Sequence, residues 1–358
     1  MPSSGRFSPD PGTRLPQRVA LGVLLRDFPP PLVDEILDDL GRREQRQRLL
    51  PARLMVYFTL GMWIFRALPY ELILAELLRD APGLAPPVSA QDQASAAAIG
   101  RARRRLGVEP LRRLFEQAGE SAPDPPAPAL PGRRPLRLCD LDVGMPATPA
   151  NLLGFPGLAA AHAPGPSGQR PGRARIRLLV ECGSSRITHA EVLGAEEEDR
   201  LPAGVGPDDL LILDARPLSA ALWSALERLG TPVLWPLPES AQVTGGTRLP
   251  DGSVLAKLPA EDGSELVARV LATGRGALLA TSLLDHRAAP AAQIAACHDA
   301  PAVAGRRFHG IGGYGHDDRL ELRSKDPDMV RQELYAMLCV HHAIGELVGP
   351  NPGDSGCF

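Results

Sequence analysis

Six prolines fall between Pro123 and Pro135. Each fixes φ and removes a backbone donor, so this stretch can carry neither a helix nor an interior strand. Residues 119–135 therefore read as an extended linker, and the chain divides there. With 358 residues, there is enough chain for two domains with sizeable cores.

The part before the linker reads as helical. Residues 1–14 are polar and Pro/Gly-rich and are expected to be a disordered tail. From residue 15 to 118, apolar residues recur at helical spacing: Val19, Leu21, Val23 and Leu24, then Val33, Ile36, Leu37 and Leu40. Residues 54–65 form a long apolar run with Tyr57, Phe58, Trp63 and Phe65, expected to be the core of a small helical domain. Two basic clusters flank it. Arg42, Arg43, Arg46, Arg48 and Arg53 form the first; Arg101, Arg103, Arg104 and Arg105 form the second, on a helix predicted over 96–105 and closed by Leu106-Gly107. Such a run is either a solvated helix face or a phosphate-binding patch, where guanidinium groups give bidentate, salt-sensitive contacts. A helix, a short turn and an Arg-loaded neighbour fit a helix-turn-helix-like DNA reader.

The part after the linker reads as strands with occasional helices. Pro135-Leu-Arg-Leu-Cys-Asp-Leu-Asp142 is a buried strand that ends in carboxylates at Asp140 and Asp142. Residues 174–182 and 186–193 pair as a hairpin across Gly183-Ser184-Ser185. Asp209-Leu-Leu-Ile-Leu-Asp214 is a second buried strand with an acidic end, followed by a helix over 219–229 and a strand over 232–237. That order suits a mixed α/β sheet with the two acidic ends on neighbouring central strands. Aspartates at strand ends serve turn chemistry or hold a divalent metal on a rigid backbone, and pattern alone leaves both readings open.

Composition excludes several classes. A net charge of -3 rules out a uniformly basic DNA coat, though not a basic face. The five cysteines form no CxxC pair and no zinc spacing, and most sit in apolar contexts, as expected of small hydrophobes in a reducing cytoplasm. No signal peptide is visible, and the apolar run at 54–64 is too short to span a bilayer, so no membrane partner is expected.

Taken together, these stretches resemble bacterial insertion-sequence transposases of the DDE type, in the group named after insertion element four. The similarity covers nearly the whole chain. It rests on Arg18-Val-Ala-Leu-Gly-Val-Leu, Gly41-Arg-Arg-Glu-Gln-Arg, Leu50-Pro-Ala-Arg53 and residues 103–115. It continues through Thr148-Pro-Ala-Asn151, Val180-Glu-Cys-Gly183, residues 211–214, Leu234-Trp235, Leu322-Arg-Ser-Lys325 and Val330-Arg-Gln-Glu-Leu-Tyr335. The resemblance implies an α+β, mixed α/β chain. An all-α N-terminal DNA-binding domain (15–118) would precede an RNase H-like catalytic core (136–348) with a β-rich insertion at about 240–275. Residues 349–358 would be a tail. The resemblance also implies two-metal phosphodiester chemistry, in which three carboxylates hold Mg²⁺. Asp214 matches the second aspartate of the family. Asp142 is placed at the first, with Asp140 as the alternative register.

One part of the family pattern is missing. The third carboxylate belongs to a helix signature of Tyr, two residues, Arg, three residues, Glu, six residues, Lys. Its four positions fall here on Cys297, Ala300, Ala304 and Ile311, and no glutamate occurs between Glu265 and Glu321. The expectation is a transposase-family protein, bacterial, cytoplasmic and nucleoid-associated. It would bind the terminal repeats of its element as a homodimer in a synaptic complex, with strand cleavage and transfer impaired. The alternative is a catalytically inactive DNA-binding descendant, regulatory or decayed. Glu321 and Glu333 are expected to be surface charges.

Overall fold

The computed structural model describes residues 14–44, 46, 48–84, 94–120, 130, 132–155, 172–182, 186–193, 200–213, 217–238, 241, 243, 245–274, 276–299 and 321–348. The chain forms two compact units, Met1–Ala118 with Leu322–Phe358, and Gly119–Glu321.

The first unit is helical. It contains α1 (Arg14–Asp27), α2 (Pro30–Asp39), α3 (Ala52–Ile64), α4 (Tyr70–Asp80), α5 (Ala96–Leu106), α6 (Glu109–Glu120) and α10 (Pro327–Val348). In α3 every residue from Leu54 to Trp63 is buried. A helix that is apolar all round must be enclosed by others, and α1, α2, α4, α5 and α10 all pack against it. Its two polar-tipped aromatics find partners. The Tyr57 hydroxyl donates to the Phe28 carbonyl, and the Trp63 indole N–H donates to the Glu333 carbonyl at 2.8 Å.

The sequence places the final helix with the sheet, in a domain of residues 136–348. It lies instead in the helical unit. Its entry is fixed by Glu333, which is 3% exposed, not a surface charge. The Glu333 carboxylate accepts from the Arg323 N–H (3.0 Å), the Ser324 N–H (3.1 Å) and the Ser324 hydroxyl (2.6 Å). Nothing in local periodicity announces such a contact, because it depends on the segment before the helix folding back onto it.

The second unit is built on one nine-stranded sheet of described strands, ordered β3-β2-β1-β4-β5-β9-β8-β7-β6. Strands β1 (Arg134–Met145), β2 (Gly172–Glu181) and β3 (Ile187–Leu193) form an antiparallel meander. A short helix, α7 (Pro149–Gly154), follows β1. Strands β4 (Asp209–Leu213) and β5 (Val233–Pro236) then run parallel to β1 on its other side. This 3-2-1-4-5 order, antiparallel then parallel, is the RNase H-like arrangement that the resemblance implies. The β-rich insertion supplies β6 (Thr247–Arg248), β7 (Val254–Pro259) and β8 (Glu265–Ala272), and with β9 (Leu278–Thr281) it extends the same sheet past β5.

Strand alternation sends side chains to two faces. Leu136, Leu138, Leu211, Leu213 and Trp235 pack with Leu222, Trp223 and Leu226 of α8 (Ala220–Leu229). Leu210, Ile212, Leu234 and Leu279 pack on the other face with Ile294 and Cys297 of α9 (Ala291–Asp299). The unit is thus a sheet covered on both faces. Helix α8 begins at Ser219, whose side chain accepts from the Leu222 N–H, and ends at Gly230 in the left-handed region (φ 79°). A buried guanidinium ties the insertion to α9. Arg269 (0% exposed) donates to Ser253 Oγ (2.7 Å), to the carbonyls of Leu283 (3.1 Å) and Ala289 (2.7 Å), and to Asp251. Asp251 in turn accepts from the Ala291 N–H at the start of α9 (3.0 Å).

Candidate functional site

Asp140 and Asp142 continue the face of β1 that begins with Leu136 and Leu138, because successive even-numbered residues of a strand point the same way. They lie beyond the described end of β4: Leu213 stands opposite Leu138, two residues before Asp140 and four before Asp142. Asp214, directly after Leu213, lies outside the described residues, as does the segment 300–320, which spans three of the four family helix positions. Glu321 is described and exposed, and bridges to Gly144 near the far end of β1.

The partners of the two β1 aspartates come from β2. In the antiparallel register Asp140 faces Arg177 and Asp142 faces Arg175. Arg177 is 1% exposed, and grips both oxygens of Asp140, Nε to Oδ1 and Nη2 to Oδ2, each at 2.8 Å. Its Nη1 donates to the Arg200 carbonyl (3.1 Å). Arg175 holds Asp142 through Nε (2.7 Å) and Nη2 (3.3 Å), and Arg173 adds a third contact at 3.3 Å. Burial alone would push the Asp142 carboxyl up. Arg175 and then Arg173 pull harder, and its pKa lies below the ordinary aspartate value.

Sequence reasoning missed this row. Its signal is present as arginines spaced by two at 173, 175 and 177, set against aspartates spaced by two at 140 and 142. Only the register makes them face one another.

The implied Mg²⁺ therefore does not fit the described part of the site. A divalent ion needs open carboxylate oxygens, and all four oxygens of Asp140 and Asp142 are held by guanidinium groups. Among the described residues, no three His, Cys, Asp or Glu side chains are grouped to hold a metal ion.

In the helical unit, the nine arginines singled out in the sequence separate into three kinds. Arg103 is fully buried. It donates to the Tyr70 hydroxyl (3.2 Å), to Ser324 Oγ (3.2 Å) and to the Met329 carbonyl (3.1 Å), and so cannot meet a DNA backbone. Burial pulls its pKa down, and Tyr70 and Glu333 offset that only in part. The helical spacing accounts for its burial: Ile99, Ala102, Arg103 and Leu106 share one face of α5. Others are partly or fully exposed but engaged. Arg53 forks onto Asp34 (Nε 2.6 Å), Arg43 pairs with Asp38 (2.6 Å), and Arg105 donates to the Leu50 carbonyl (2.8 Å). Arg42 donates to the Arg105 carbonyl (3.2 Å) and Arg104 pairs loosely with Asp326 (3.4 Å). Arg46, Arg48 and Arg101 are exposed and form no ion pair among the described residues. The turn between α5 and α6 is two residues long and starts at Gly107 (φ 75°). No helix among the described residues is long and apolar enough to cross a membrane.

Comparison with known proteins fits this division of the chain. Residues 18–116, which span α2 to α5 and most of α1 and α6, match the family described as insertion element 4 transposase N-terminal. Transposase InsG for insertion sequence element IS4, from Escherichia coli (strain K12), is 28% identical over 335 residues, which cover 88% of this chain and 74% of InsG. Among solved structures, a piggyBac transposase synaptic complex with hairpin DNA aligns over 92% of this chain and 76% of its own, at 11% identity and a TM-score of 0.42, too distant a likeness to argue from. Along most of its length, then, the chain is a relative of the insertion element 4 transposases.

Proposed function

We propose that this transposase relative binds the DNA ends of its element, with strand cleavage and transfer impaired. The single observation that carries the reading is the match of residues 18–116 to the transposase N-terminal family, in a unit that leaves Arg46, Arg48 and Arg101 exposed and without ion pairs among the described residues. Guanidinium groups in that state are the ones that gain most from phosphate, since no carboxylate has to be displaced. Asp142 and Asp214 remain our assignment for the two surviving family carboxylates, with Asp140 as the alternative for the first. Impairment follows from the missing third family glutamate: none occurs between Glu265 and Glu321. The protein would act as a homodimer on paired terminal repeats, in the bacterial cytoplasm at the nucleoid.

The test is equilibrium binding to a duplex carrying the terminal repeat, measured across a salt series. The wild-type chain binds with a steep salt dependence. Arg46→Ala with Arg48→Ala and Arg101→Ala weakens binding and flattens the logarithmic salt slope by about 0.9 for each phosphate left without its guanidinium. Unchanged binding by the triple variant refutes this surface as the DNA contact.

A further inference from the structure

We infer that Asp140 and Asp142 have changed role: they are counter-ions of an arginine row on β2, and the metal-binding face of the sheet is closed by protein charge. This is a second lesion, independent of the missing third acid. It rests on the proposed reading only in taking these aspartates as candidate ancestral ligands; DNA binding can succeed or fail without touching it.

Three observations carry the inference. The pairing is set by strand register, with Asp140 opposite Arg177 and Asp142 opposite Arg175, so it is repeated down the ladder and belongs to the sheet. Cross-strand neighbours of opposite charge are the unit by which a sheet face is stabilised. The described carboxylates on this face are each already matched by a cation: Arg173, Arg175 and Arg177 hold the two aspartates, and Glu191, opposite Arg177 on β3, pairs with Arg200 at 3.1 Å. A divalent cation approaching this face competes with guanidinium groups already in place. Finally, Arg177 has nowhere to go. It is 1% exposed and its Nη1 is tied to the Arg200 carbonyl, so releasing Asp140 to a metal breaks a bidentate pair with a buried guanidinium.

The two roles predict opposite signs in one experiment. Carboxylates gathered to bind a metal repel each other when the metal is absent, so neutralising one stabilises the metal-free protein. Carboxylates that serve as counter-ions do the reverse. The measurement is thermal unfolding of the full-length protein, as wild type, Asp140→Asn and Asp142→Asn, each with EDTA and with Mn²⁺ as the probe ion. Asp142→Asn serves where Asp140→Asn fails to fold, because Asp142 and both its arginines are partly exposed. Expected are a wild-type Tm that Mn²⁺ leaves unchanged and a fall of several degrees in either variant with EDTA. A Tm that rises with Mn²⁺ in the wild type, and loses that rise in Asp140→Asn or Asp142→Asn, overturns the inference. So does a Tm that increases in the metal-free variants.

Discussion

Arg177 in the second strand of the sheet clamps Asp140 in the first through two parallel contacts of 2.8 Å, the guanidinium being buried and the carboxylate reaching toward solvent. The energy of such a pair is asymmetric. Removing the carboxylate takes a bidentate partner from a desolvated cation, whereas removing both partners leaves room for apolar packing against Leu138 and Leu179.

A double-mutant cycle makes that asymmetry measurable. Asp140→Leu alone is expected to cost about 3 kcal/mol, and Arg177→Met with Asp140→Leu markedly less than the sum of the two single changes. Urea unfolding of the four proteins gives the coupling. Additive effects would show that the two side chains are independent.

Arg101 and Arg103 are two residues apart on α5 and are expected to behave oppositely. Arg103→Ala empties a buried site and strips Ser324 and Tyr70 of a donor, at a cost of about 3 kcal/mol. Arg101→Ala changes stability by less than about 0.5 kcal/mol, as exposed substitutions do, yet weakens DNA binding. Denaturation and a salt-series binding assay on the same two variants separate structure from recognition. Equal loss of stability in both would contradict the placement of these side chains.

Asp251 makes acid stability a test of the insertion. Burial would raise its pKa, but the Ser253 hydroxyl, the N–H groups of Ala291 and Ser253, and Arg269 together hold it at about 2, against an ordinary 3.8. A carboxyl depressed in the folded state contributes stability that is fully present above the unfolded value and is lost as pH falls through the folded one. Stability should therefore fall between about pH 4 and about pH 2, and Asp251→Asn should flatten the slope in that window while lowering stability near neutrality. Denaturant titration at stepped pH follows that slope, and an unchanged slope in the variant would show that Asp251 does not govern acid stability.

Much of this fold was legible in the sequence. The apolar runs ending at Leu138 and Leu213, the pairing of the strands on either side of 183–185 (themselves outside the described residues) and the helix over 219–229 each follow from local periodicity and turn residues, whereas the RNase H-like 3-2-1-4-5 order was implied by the family resemblance. What escaped depends on partners that local pattern does not identify. Glu333 looks like a surface acid until the N–H groups of Arg323 and Ser324 are seen folded back onto it. The β2 arginines look like ordinary alternation until register sets them against Asp140 and Asp142. Arg103 is the instructive middle case. Its place on the Ile99–Ala102–Leu106 face was visible, but within a cluster of four arginines charge hides position.

The proposed function is tested most directly by a cleavage assay on DNA carrying the element's terminal repeats, with Mg²⁺ or Mn²⁺ and with EDTA, run beside a binding measurement on the same protein. Salt-sensitive binding is expected in every condition, and nicking or strand transfer in none. Metal-dependent nicking that disappears in Asp142→Ala or Asp214→Ala would contradict the reading of an impaired site.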